Sequence, residues 1–94
     1  MSHEMYRYTF ARKVPMREVQ ATLLLAVVGA ESLHGEVGVF LGDRHALDPR
    51  RRACVIDAST DVGADLNRLF AGFLRSQFGD DAVTVNRERR MSLK

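Results

Sequence analysis

The sequence predicts an α+β domain, a two-layer sandwich of ferredoxin-like βαββαβ order with a four-stranded antiparallel sheet and two helices on one face. Three observations carry this. Four short segments alternate or run apolar as strands do, two longer segments repeat at helical spacing, and turn residues separate them in that order.

The nucleus is the stretch Ala53 to Gly79. Its opening, Ala53-Cys54-Val55-Ile56-Asp57, is apolar and partly β-branched, which suits a strand covered on at least one face. The period then changes. Val62, Leu66, Leu69, Phe70, Phe73 and Leu74 form one apolar stripe at helical spacing, while Ala64, Asp65, Arg68 and Arg75 fall on the opposite arc. Ser59, Thr60 and Asp61 can accept the free N–H groups of the first turn, and Gly79 closes the helix.

The remaining elements follow from the N-terminus. Tyr6, Tyr8 and Phe10 alternate with Arg7, Thr9 and Ala11, a period of two that predicts the first strand with its rings directed at the helices. Pro15 opens a helix, having no N–H to leave unpaired, and Gly35 closes it after Leu33-His34. Val37, Val39 and Leu41 alternate with Gly38, Phe40 and Gly42, which places the second strand there. Asp48-Pro49-Arg50-Arg51 has the signature of a turn and predicts a hairpin with the Ala53 strand. Ala82 to Arg87 alternates again as the fourth strand. Right-handed crossovers set the first and third strands side by side in the middle. The domain is expected over 5–88, with 1–4 and 89–94 as flexible ends.

The first helix carries the most unusual pattern. Val19, Leu23, Ala26, Val27 and Ala30 line one face, yet Ala21, Leu24, Leu25 and Val28 line nearly the reverse one. A helix with one buried side has polar residues on the other. A short chain offers little material to cover a second face, so Ala21, Leu24, Leu25 and Val28 are expected to meet a second copy or a partner protein.

Composition narrows the function classes. The 94 residues are 46% hydrophobic and 28% charged, which is ordinary for a single globular domain. A net charge of +2 and a pI near 9.1 neither require nor exclude an anionic partner. A lone cysteine, Cys54, supplies neither an internal disulfide nor a multi-cysteine zinc site and reads as a buried thiol. No signal peptide is visible, and the apolar run Ala21–Ala30 is too short to span a bilayer, so a cytoplasmic protein without membrane contact is the expectation.

Catalytic signatures are scarce: the chain has no phosphate loop, no HExxH, no nucleophile elbow and no CxxC. Three constellations remain. Asp57 and Asp61, with Ser59, Thr60, Gly63 and Asp65 around them, could hold a divalent cation, though capping accounts for the same residues. Arg50, Arg51 and Arg52, with Arg44 and His45 along the hairpin, could contact phosphate, though charges also solubilise a hairpin tip. The sheet face away from the helices, with Arg7, Thr9, Phe40, Val55, Asp57, Thr84 and Asn86, has a single ring and makes a poor base-stacking platform. The histidines, His3, His34 and His45, show no metal spacing, and His34 suits the negative end of the helix dipole.

The expectation is a non-catalytic homodimeric accessory or regulatory domain without a cofactor. The alternatives are a nucleic-acid-binding module, using Arg50–Arg52 with Arg87, Arg89 and Arg90, and a metal-dependent phosphoesterase-type enzyme around Asp57 and Asp61.

Overall fold

Residues 2–35 and 45–91 are described by the computed structural model. The elements are β1 (Ser2–Phe10), α1 (Met16–His34), β2 (His45–Asp48), β3 (Ala53–Asp57), α2 (Asp61–Phe78), a short 3-10 turn at Asp80–Ala82, and β4 (Val83–Met91). The four strands form one antiparallel sheet in the order β2-β3-β1-β4, the βαββαβ ferredoxin-like arrangement, with β1 and β3 central.

The register explains which side chains meet the helices. Tyr8 pairs with Cys54 on one side and Val85 on the other, and Tyr6 pairs with Ile56 and Arg87. Directly opposed residues point to one face, so the helix-side face carries Tyr6, Tyr8, Phe10, Cys54, Ile56 and Val83. Tyr8, Phe10, Cys54 and Ile56 are buried, with Leu66, Phe70 and Leu74 from α2 and Val19, Leu23, Ala26 and Ala30 from α1. The rings therefore lie inside, as the alternation predicts. The Tyr8 and Phe70 rings pack 4.9 Å apart at a tilt of 60°.

Both helices end where the sequence marks them. Pro15 sits at the N-cap of α1 rather than as its first turn residue, and Gly35 closes it in the left-handed region at φ 57°. Thr60 caps α2, its Oγ1 accepting the Gly63 N–H at 3.0 Å. The helices run antiparallel and are tied near both ends: Thr22 Oγ1 donates to Gln77 Oε1 at 2.7 Å, and His34 Nε2 meets Asp65 Oδ2 at 2.8 Å. His34 thus binds a carboxylate of the neighbouring helix rather than merely complementing its own dipole.

Two boundaries differ from expectation. The strand expected over Val37–Gly42, with Phe40, lies outside the described residues; within them β2 is His45–Asp48. This segment holds only one large apolar side chain, Leu47, so its extended form is set by the ladder with β3. The ends also depart from the expected tails. Ser2 pairs with Met91, His3 with Arg90 and Glu4 with Arg89, so β1 and β4 continue as a ribbon through residues expected to be loose. Their backbone hydrogen bonds extend the sheet without any apolar pattern to announce it. No helix of the described residues is long and apolar enough to cross a membrane.

Candidate functional site

The outer face of α1 is the most distinctive surface. With Val19, Thr22, Leu23, Ala26 and Ala30 facing the core, the helical period turns Ala21, Leu24, Leu25 and Val28 outward. Leu24, Leu25 and Val28 are 58%, 60% and 58% exposed. A Leu or Val side chain gains about 1.5–3 kcal/mol on full burial, so three neighbouring ones forgo a large part of that in the isolated chain. Val27, on the flank, is partly buried against the core. All four residues singled out from the sequence therefore share one exposed stripe.

The basic hairpin tip divides into two parts. Arg50 is exposed, and Arg51 is exposed with its Nε 3.7 Å from Asp48 Oδ2. Arg52 turns inward. It occupies the left-handed region at φ 55°, and its guanidinium donates to the main-chain carbonyls of Phe10, Ala11 and Val14. Arg52 thereby fastens the β1–α1 connection to the β2–β3 turn, with its Nε and Nη2 donors committed within the chain. Arg87 forms an ion pair with Glu4 at 3.2 Å, and Arg44 lies outside the described residues.

The acidic turn after β3 is organised as a cap. Asp57 Oδ1 accepts the Ser59 N–H at 2.9 Å and the Ser59 hydroxyl at 2.6 Å, an Asx-type turn that leads into the Thr60 cap. Asp61 is exposed in the first turn of α2, where its charge suits the dipole. Among the described residues no group of three or more His, Cys, Asp and Glu side chains is disposed to hold a metal ion.

A groove of about 450 Å³ runs along the outer side of α2, lined by Glu4, Tyr6, Asn67, Arg68, Gly72 and Arg75 among others. Its charged groups are already paired: Glu4 with Arg87, Arg68 with Asp65 at 3.1 Å, and Arg75 with Asp80 at 3.2 Å. The Tyr8 hydroxyl beneath α2 donates to Asn67 Oδ1 at 2.5 Å, and burial raises its pKa well above the usual phenol range. Burial likewise pushes the Cys54 thiol up to about 12, which keeps it protonated and unreactive at neutral pH.

His45, on the helix side of β2 opposite Ile56, has its pKa lowered from 6.5 by burial. The neutral imidazole is then the folded form, and the unfolded chain binds the extra proton. Stability is complete above the unfolded pKa and falls as the pH drops through it. Urea midpoints of the wild type should therefore decline between about pH 7.5 and 5, and His45→Gln should flatten part of that decline. An identical slope in both proteins would remove His45 as its source.

No family model, curated protein or solved structure matches this chain.

Proposed function

We propose that this protein is a small non-catalytic binding and assembly domain, an accessory or regulatory component that forms a homodimer through the outer face of α1. The observation that carries this reading is the row of Leu24, Leu25 and Val28, more than half exposed directly opposite the buried face of the same helix. Ala21 adds a small side chain that lets a second backbone approach closely. The chemistry elsewhere supports a binding role: the thiol is held protonated by burial, and the charged groups of the α2 groove are committed to ion pairs. A cytoplasmic setting agrees with a free, buried Cys54.

The nucleic-acid alternative draws less support. Arg52 is spent on main-chain carbonyls, which leaves Arg50 and Arg51 as the exposed cations of the hairpin tip, the latter beside Asp48.

Light scattering over a concentration series tests the reading. The wild type should shift toward twice its 10.6 kDa chain mass as concentration rises. Leu24→Glu/Val28→Glu should stay monomeric with its fold intact, because both side chains are exposed within the single chain. A wild type that remains monomeric up to about 1 mM would defeat the dimer, since its association would then be weaker than about 4 kcal/mol.

A further inference from the structure

We infer that the partner on α1 is a second copy lying antiparallel to the first, with the two-fold axis between Leu24 and Leu25 and with Arg17 of each copy beside Glu31 of the other. This rests on the dimer reading above and adds its direction and register. The pattern of the helix itself supplies the geometry. At about 100° per residue, Ala21, Leu24, Leu25 and Val28 fall within an arc of about 100°, centred opposite the buried face. Their order is symmetric about the midpoint of the stripe. Reversing one helix against the other sets Leu24 beside Leu24 of the second copy on one flank, Leu25 beside Leu25 on the other, and Ala21 against Val28 along the centre, a small side chain against a larger one at each end of the contact.

The ends of the stripe carry opposite charges. Arg17 precedes it and Glu31 follows it, both on the Leu24 flank, and among the described residues neither forms an ion pair. In antiparallel helices like flanks face one another. The same two-fold that pairs the leucines therefore brings Arg17 of one copy to within about one residue rise, roughly 1.5 Å along the axis, of Glu31 of the other. A parallel pair would bring opposite flanks together and leave Arg17 of one copy about 14 residues, roughly 21 Å along the axis, from Glu31 of the other, with the helix dipoles aligned as well. The charges at the ends of the stripe thus complement one another only in the antiparallel direction.

Contact size sets the strength. One helix face with four apolar side chains per copy falls below the roughly 1,200 Å² of a standard stable interface. The pairing is reversible, and its charged ends make it sensitive to salt.

Cysteine cross-linking and charge reversal test this inference. Under mild oxidation Leu24→Cys should form a covalent dimer readily, because the residue lies near the axis. Arg17→Cys should not, because an antiparallel partner places its own position 17 about 22 Å away. Equal cross-linking of both variants would establish a parallel pair and overturn the inference. In sedimentation equilibrium, Arg17→Glu and Glu31→Arg should each weaken the dimer about tenfold at low salt, and the double variant should recover most of the loss. A dimer that Leu24→Glu/Val28→Glu abolishes but these reversals leave unchanged would overturn the register while preserving the interface. A wild type monomeric at every concentration would instead defeat the dimer reading itself.

Discussion

Gly63→Ala should cost about 2–3 kcal/mol of stability and lower the melting temperature by about 10–20 °C. Gly63 is in the first turn of α2, where the helix leaves the end of β3, and a methyl group there would lie 2.2 Å from the Asp57 carbonyl oxygen. The Thr60 Oγ1 and the Asp57 carbonyl carbon would be 3.1 and 3.3 Å away. The obstacle is main chain and cannot rotate aside. Relief requires the start of α2 to move off the sheet, which loosens the Thr60 cap and the seating of Leu66 and Phe70. Alanine's better helix propensity, about 1 kcal/mol over glycine, offsets only part of this. Gly72→Ala is the control. An added methyl there meets nothing within 4 Å, so the same change on the same helix should stabilise by about 0.5–1 kcal/mol. Urea denaturation of the two variants decides the matter: Gly63→Ala at wild-type stability would mean that the close approach of α2 to β3 is not as described.

Arg52→Ala should destabilise by about 2–3 kcal/mol, the range for hydrogen bonds from a charged donor to half-buried carbonyls. Arg50→Ala and Arg51→Ala should stay within about 0.5 kcal/mol of wild type, since both side chains are exposed. The reason is the reach of one guanidinium over three carbonyls, those of Phe10, Ala11 and Val14, across the joint between β1 and α1. Lysine has a single ammonium and cannot span the same fork, so Arg52→Lys should fall between wild type and alanine. Arg52→Gly separates the side chain from the backbone. It loses the same bonds but relieves the left-handed φ of 55°, and should be about 1 kcal/mol more stable than Arg52→Ala. Equal denaturation midpoints for the alanine variants at 50, 51 and 52 would show that the clamp contributes nothing.

These two residues also mark how far the sequence could be read. Arg52 belongs to a run of three arginines that looks uniform along the chain, yet its partners lie some 40 positions away, at separations of 42, 41 and 38 residues. Gly63 reads as an ordinary glycine in a capped turn, and the demand on it comes from the carbonyl of Asp57. The strand β2 was hidden for a related reason, because His45-Ala46-Leu47-Asp48 has one large apolar residue and gains its form from β3. The exposed stripe on α1, by contrast, was plain in the sequence, since a helix with leucine and valine on two opposite faces has more apolar surface than one core can take.

The sequence by itself determined the order of the elements, a capping turn somewhere within Ser59–Asp61, the cap at Gly35, the inward rings of β1 and the exposed apolar face of α1, all of which follow from local periodicity and backbone preference. Tertiary structure alone decided the extent of the β1–β4 ribbon, the pairing of His34 with Asp65, the inward turn of Arg52 and the closeness of α2 to β3 at Gly63. Each of those depends on atoms distant in the chain meeting at hydrogen-bond or contact distance, and no run of neighbouring residues records such a distance.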